Sequence, residues 1–255
     1  MSVYTRGTRL LDFFFEVAAG NITGLASVNK FGRNTDTDAL EDIWDGGGTW
    51  VAPTAARIHD IVSTLAADAA AGTGLRTVRV FGLDASFVLQ QEDITLNGIT
   101  NVPTVNTYTR IFRLQGLTFG SGQTNAGIVT ATAQSDGTVT AQMSAGISQT
   151  MMAIYSVPTA TTGFLTCYYG SLVSSGGNND TGVFELLVRP AIDTADTGWL
   201  VKHVLGVTKP GQNPFTHFFL PPLNVQGPAD IRIRATPSAA NTDFSAGFDL
   251  VLDSR

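Results

Sequence analysis

Charged residues are scarce in this chain of 255 residues: they make up 14 % of the sequence, against roughly a quarter in an average soluble domain. Only 15 residues are Lys or Arg, spread along the chain, and the formal net charge is −6. Recognition of nucleic-acid phosphates requires clustered basic side chains. The sequence therefore predicts no nucleic-acid partner.

Cysteine and long apolar runs are also nearly missing. Cys167 is the only cysteine, which excludes an internal disulfide, and its alternation with Leu165 and Tyr169 indicates a buried packing thiol in a strand. No apolar run reaches the length of about 18 residues that a membrane helix needs, so no membrane partner is predicted. Asp12 and Glu16 interrupt the apolar N-terminal segment, which argues against a signal peptide and favours synthesis in the cytoplasm.

Sequence signatures of catalysis and cofactor binding are absent. The chain has no Gly-x-Ser-x-Gly elbow, no phosphate-binding loop and no complete dinucleotide fingerprint. His59, His203 and His217 lie in separate predicted strands without a metal-spaced partner. We therefore predict no enzyme activity, no catalytic residue and no cofactor.

An acidic run is the best metal candidate, because hard cations bind converging oxygens. It does not follow the EF-hand spacing, so a solvated acidic loop is the stronger interpretation and no metal site is predicted. The run consists of Asp36, Asp38, Glu41, Asp42 and Asp45.

Alternation with period two dominates from residue 43 onward and predicts an all-β fold. Residues 75–84 form the clearest strand of the first half, and Asn97-Gly98 and Asp136-Gly137 predict hairpin turns. The second half has the spacing of a β-sandwich, with a jelly roll as the first choice.

Three segments follow from this pattern. Residues 1–40 are predicted to be an N-terminal arm, with a short helix at 8–19; a plain N-terminal strand is the open alternative. Residues 41–146 are predicted to form a first β domain, and residues 147–255 a second, jelly-roll-like sandwich.

Several stretches in the first 120 residues resemble a family of tailed-bacteriophage virion structural proteins. They read FFFEVAAGNITG, VNKFGRNTDTDA, EDIWDGGGTW, RTVRVFGLDASF and EDITLNG, in this order. A looser resemblance continues through MMAIYSVPTATTGFL. The resemblance implies a place in the virus particle, and with it assembly in the host cytoplasm.

The resemblance and the low charge together lead us to expect a capsid decoration or cement protein that binds between capsid subunits. Its expected partners are the major capsid protein or other virion proteins and further copies of itself, as a homotrimer by capsid geometry. The expected partner contacts are Phe13, Phe14, Phe15, Lys30, Phe31, Arg33, Trp44 and Trp50.

Other interpretations remain open at this point. Lys30, Phe31 and Arg33 are alternatively residues that pin the arm to its own sandwich, and the tryptophans are alternatively core plugs. A tail or head-fibre component that binds host glycan through the second half, including the loop at 174–181, is the alternative within the virion. A glycan-active enzyme domain is the alternative from another class.

Overall fold

A computed structural model describes residues 13–173, 180–194, 197–209, 211 and 213–255. In this part of the chain strands dominate, which confirms the all-β prediction. The single helix among these described residues, α1, spans Phe13–Ala18. The strands are β1 Leu25–Thr37, β2 Glu41–Asp42, β3 His59–Ser63, β4 Leu75–Leu83, β5 Leu89–Thr95, β6 Val102–Pro103, β7 Arg110–Phe119, β8 Val129–Ala133, β9 Val139–Met143, β10 Ile154–Val157, β11 Thr162–Val173, β12 Thr181–Arg189, β13 Leu200–Thr208, β14 Phe215–Gln226, β15 Ala229–Pro237 and β16 Thr242–Asp253.

Two antiparallel sheets form a sandwich with the strand order of a jelly roll. One sheet runs β1-β16-β11-β14, and the other runs β10-β15-β12-β13 with β2 paired to β15. The eight main strands are β1 and β10–β16. When these eight are renumbered 1 to 8 along the chain, their order is 1-8-3-6 in one sheet and 2-7-4-5 in the other, which is the double Greek key of a jelly roll. Apolar side chains of both sheets share one core, among them Leu165 and Phe248 from the first and Phe184 and Ile231 from the second.

The N-terminal arm predicted for residues 1–40 is wrong for its second half. Residues 25–37 form β1, an edge strand of the jelly roll, in which Leu25 lies opposite Asp253 and Asn34 opposite Phe244. The pattern was hidden because three buried positions of this strand carry the polar residues Lys30, Asn34 and Thr37. The plain-strand alternative is correct here. Of the helix predicted at 8–19, only the part from residue 13 lies in the described chain.

The first β domain is an insertion into the jelly roll. Strands β3–β9 form two small sheets, ordered β6-β3-β8-β9 and β5-β4-β7, and we call them the inserted unit. They pack around a second core that includes Ile61, Val80 and Leu114. The chain leaves the jelly roll after β2 and returns to it at β10. The sandwich predicted for residues 147–255 is therefore incomplete, because its first strand is β1, which lies before the inserted unit in the sequence.

The two predicted hairpin turns have different outcomes. Asp136-Gly137 connects the paired strands β8 and β9, with Gly137 at the positive φ of 67° that the turn requires. Asn97-Gly98 does form a turn, closed by a bond from Thr100 N to Asn97 O of 3.1 Å. The strands on its two sides, β5 and β6, belong to different sheets, so the predicted hairpin there is wrong.

Candidate interaction surface

Three consecutive phenylalanines project from α1. Successive helical residues are about 100° apart, so three neighbours cannot all face one surface. Val17 is the residue of this helix that is buried, against Ile22 and Val251. Phe13, Phe14 and Phe15 are 53 %, 61 % and 66 % exposed. The helix is therefore anchored through Val17, and its three phenylalanine side chains remain more than half exposed to solvent.

A groove of about 420 Å³ lies between α1 and the outer face of the β1-β16-β11-β14 sheet. We call it the α1–β14 groove. Its apolar lining includes Phe14, Val17, Phe218, Leu220 and Pro222. Leu220 is 91 % exposed, although it is an aliphatic side chain. Phe14 is thus part of the groove wall, and Phe13 lines a second, smaller cavity of about 250 Å³ that shares Phe14 and Pro222 with the groove.

Cys167 lies in the wall of this groove. Its thiol donates to Asp249 Oδ2 at 3.2 Å. Burial, and then the neighbouring Asp249 carboxylate, raise the pKa of the thiol to about 11. The thiol is therefore protonated at neutral pH and lacks the thiolate character of a nucleophile, which supports its interpretation as a packing residue.

The jelly roll has one covered side and one bare side. The inserted unit contacts the side formed by β1 and β10, where Arg113 donates to Asn29 O at 2.8 Å. On the opposite side, within the described residues, β13 pairs with β12 alone and β14 with β11 alone. Leu200, Val201 and Val204 of β13 are each about half exposed. An apolar strand edge of this kind is a template for contact with another chain.

His203 of β13 and His217 of β14 contact each other where these two edge strands come together. The His203 and His217 rings stack with centroids 4.0 Å apart, and the Tyr168 hydroxyl lies 2.5 Å from His203 Nδ1. Burial and the adjacent His217 lower the pKa of His203. The expectation that all three histidines are isolated is wrong for this pair, because the jelly-roll topology brings β13 and β14 together. His59, by contrast, is buried in the inserted unit.

Lys30 is buried inside the chain instead of facing a partner. Its ammonium donates to Phe112 O at 2.5 Å and lies 5.8 Å from the centre of the Phe112 ring. Burial, with a smaller contribution from Arg113, lowers its pKa well below the ordinary lysine value. The side chain joins β1 to β7 of the inserted unit, so the prediction of a partner contact is corrected to an internal contact.

Replacing Lys30 with methionine is expected to preserve the fold and to flatten its pH dependence. Between the lowered pKa of the folded chain and the value of about 10.4 in the unfolded chain, the unfolded state binds more protons, so stability rises with pH. The variant removes this slope, and at pH 7 we expect it to be as stable as the wild type or more stable by about 1 kcal/mol. Urea unfolding from pH 7 to 11 measures both.

Exposed Lys202 provides the matched control, because Lys202→Met makes the same substitution at the surface and leaves the buried Lys30 site intact. A loss of several kcal/mol at pH 7 in Lys30→Met would show that the bond to the Phe112 carbonyl stabilises the fold more than burial of the ammonium costs.

The two tryptophans also prove to be core residues. Trp44 and Trp50 pack in the core of the inserted unit, and Trp50 Nε1 donates to Thr140 O at 2.9 Å. The Trp44 ring lies so close to Gly46 that a Cβ there would overlap it. The glycine run therefore lets a turn close over the ring, and the predicted partner contacts are corrected to the core-plug alternative.

Phe31 and Arg33 remain partly exposed on β1. The Arg33 guanidinium donates to Asp45 Oδ1 at 2.8 Å. It thereby fixes β1 to the segment that leaves the jelly roll, which agrees with the pinning alternative. Of the eight predicted contacts, Phe13–Phe15 and these two therefore keep accessible surface.

The acidic run is used internally. Glu41 accepts from Asn34 and from the Gly48 N–H, both at 2.8 Å. Asp42 pairs with Arg232 at 2.9 Å, and burial raises the pKa of Asp42. The described residues contain no group of three or more His, Cys, Asp or Glu side chains placed to hold a metal ion.

Searches against family models, curated proteins and solved structures found no match to this chain. In the described residues, no helix has the length and apolar character needed to cross a bilayer. The glycan-contacting loop considered at 174–181 falls mostly outside the described residues.

Proposed function

We propose that this chain is a structural component of a tailed-phage virion, a capsid decoration or cement protein that binds between capsid subunits without catalysing a reaction. The observation that carries the proposal is the bare β13–β14 side of the jelly roll, with its exposed Leu200, Val201 and Val204. Monomeric proteins rarely leave large continuous apolar patches exposed, and such patches mark contact sites.

Architecture and sequence support the same role. Jelly rolls are common in viral capsid proteins, and the sequence motifs quoted above resemble those of virion structural proteins. The sparse charge suits a protein whose surface is covered by neighbours. We propose the major capsid protein and further copies of this chain, arranged as a trimer, as its partners in the virion.

The buried carboxylates support a structural role as well. Asp230 is paired with Arg110 and Asp42 with Arg232, while Asp68 accepts three backbone N–H bonds and one hydroxyl bond. A general base needs a carboxylate that is free to take a proton from substrate. Asp230 and Asp68 are committed to donors of the fold, whereas Asp42 accepts from Arg232 and from the Trp50 N–H through Oδ2 and keeps a buried Oδ1 without a hydrogen-bond partner.

Binding of the purified chain to capsids that lack it tests the proposal. The double variant Val201→Glu, Val204→Glu is expected to bind at least about tenfold more weakly, because it places charges in the centre of the contact. Val105→Glu is the matched control: Val105 is 85 % exposed on the inserted unit, and its change should leave capsid binding intact. Both variants should keep the urea midpoint of the wild type.

Several outcomes would overturn the proposal. Absence of wild-type binding would do so, as would equal binding by the double variant. A low copy number per particle with binding to host glycan would favour the tail or head-fibre alternative, and turnover of host polysaccharide would favour the enzyme alternative. Substitution is preferable to deleting residues 1–40, because that deletion removes β1 from the jelly roll.

A further inference from the structure

We propose that protonation of the His203–His217 pair detaches the edge strand β13 from β14, so that the bare side of the jelly roll is closed at neutral pH and opens in acid. Val201 and Val204 of the same strand form the proposed capsid contact. In its consequence for capsid binding, the inference therefore rests on the proposed function and concerns the regulation of that contact.

The histidine pair joins the two sheets at their bare edges. β13 is the last strand of one sheet and β14 the last strand of the other. The His203 and His217 rings stack with their centroids 4.0 Å apart, and the His203 ring also lies 6.1 Å from the Phe219 ring of β14. The Tyr168 hydroxyl of β11 lies 2.5 Å from His203 Nδ1. One side chain of β13 thus contacts two strands of the opposite sheet.

Few other contacts hold β13 in place. Within the described residues it pairs with β12 alone, and Val207 is the buried residue of its nine. Strands with one neighbour and few buried side chains open locally at a lower free energy than the core of a protein. β13 is therefore an element whose position a change at His203 can shift.

The strands around the pair offer no carboxylate that would stabilise a charged imidazole. β11 and β14 contain no Asp, Glu, Lys or Arg, and β12 presents the apolar Leu186 opposite His203. Burial raises the pKa of Tyr168, so its hydroxyl stays neutral and supplies no negative charge. A proton on either ring is therefore not compensated by an anion on these strands.

The charged side chains nearby in the sequence and in the adjoining strands are directed elsewhere. Glu185 of β12 is paired with Arg234 of β15 at 2.7 Å. Arg189 donates to a loop carbonyl at 3.1 Å, and Lys202 is exposed. Asp249 of β16 lines the α1–β14 groove on the outer face of its sheet. The charge that each histidine meets on protonation is therefore that of the other histidine.

The direction of the pH effect follows from the pKa of His203. Burial, and then the adjacent His217, lower that pKa below the value of about 6.5 of an exposed histidine. The open state therefore binds more protons than the closed state, and acid favours opening. The closed state keeps its full advantage above about pH 6.5 and loses it as the pH falls towards the lowered pKa. A second proton would place like charges on two rings in contact.

Amide hydrogen exchange of β13 at pH 7.5 and pH 5.0 tests the inference, after correction for the intrinsic exchange rates. EDTA is present so that no metal ion bridges the two imidazoles. In the wild type, the opening equilibrium of β13 is expected to rise about three- to thirtyfold at pH 5.0. About thirtyfold is the limit for one proton taken up with an open-state pKa of about 6.5. β15, in the interior of the same sheet, is the internal control and should not change.

Two variants assign the effect to the pair. His217→Phe keeps a ring for stacking and leaves the bond between Tyr168 and His203 in place, so it should fold and show a smaller rise than the wild type. In the double variant His203→Gln, His217→Phe the rise should disappear, because glutamine offers Tyr168 an acceptor that does not titrate. His59 remains in all three proteins and cannot explain a difference between them.

Three results of the exchange experiment would overturn the inference. The first is a wild type in which β13 opens equally at both pH values. The second is a rise in either variant as large as in the wild type. The third is opening of β15 together with β13, which would show that acid unfolds the whole sheet.

Capsid binding at the same two pH values separates this inference from the proposed function. The wild type is expected to bind more weakly at pH 5.0, whereas the double variant should bind equally at both. Binding that does not change while β13 opens would overturn the link between the pair and the contact. Absence of capsid binding at either pH would refute the proposed function, and the exchange result would still decide whether the pair controls β13.

Discussion

Replacing Arg110 with alanine is expected to destabilise the protein by about 3–5 kcal/mol, because it leaves a buried carboxylate without its cation. Arg110 Nε lies 3.0 Å from Asp230 Oδ1, and Arg110 Nη2 lies 3.0 Å from Asp230 Oδ2. Ser156 Oγ donates to the same carboxylate at 2.6 Å. Both charged side chains are buried. Urea unfolding at pH 7 measures the loss.

The exposed pair Arg79–Asp93 is a matched control for this prediction. It has the same two-pronged geometry, with nitrogen–oxygen distances of 2.6 and 2.8 Å, but both side chains are open to solvent. Arg79→Ala should therefore change stability far less, since water screens exposed pairs. If Arg110→Ala and Arg79→Ala had similar effects, burial of the first pair would not be the reason for its importance.

A double substitution separates the value of the ion pair from the cost of a stranded charge. Leucine at both Arg110 and Asp230 should be less harmful than either single change to alanine, because no unpaired charge remains in the interior. A double variant as unstable as the sum of the singles would contradict this account and indicate that shape, not charge, sets the cost.

This ion pair shows why the joint between the two units escaped prediction. Arg110 and Asp230 are 120 positions apart, and each follows an ordinary strand pattern in the sequence. Local alternation was sufficient to locate individual strands: the strand predicted at 75–84 corresponds to β4. It carries no information on which strand pairs with which, so the partnership of β1 with β16 was missed.

The candidate surface was predictable only in part. The exposure of Phe13–Phe15 follows from helix geometry, because three neighbours exceed one helical face. Lys30 was misassigned because a fully buried lysine is rare and a lysine usually indicates surface. The meeting of His203 with His217 depends on the jelly-roll crossover, which no local pattern reports. The groove lining is likewise gathered from distant strands.

Replacing Asp68 with asparagine is expected to destabilise the inserted unit by about 2–4 kcal/mol, although the two side chains have almost the same shape. The fully buried Asp68 carboxylate accepts the Ser63 hydroxyl at 2.6 Å and the backbone N–H groups of Leu75, Ala126 and Gly127, each at 2.8 Å. An amide keeps one accepting oxygen and turns an NH₂ group toward donors. With the NH₂ in place of Oδ2 the Ser63 hydroxyl can rotate to accept from it, but the Gly127 N–H loses its acceptor, at about 1–3 kcal/mol and more because the lost acceptor was charged.

Asp60 offers a matched control in the same unit. It accepts bonds from the side chains of Asn101 and Gln134, and amide side chains can reverse their donor and acceptor ends to suit an asparagine. Asp60→Asn should therefore have a small effect on the urea midpoint, whereas Asp68→Asn should lower it strongly. An Asp68→Asn variant as stable as Asp60→Asn would mean that the loop at 65–75 rearranges at little cost. The carboxylate would then not be what ties this loop to the segment that enters β8.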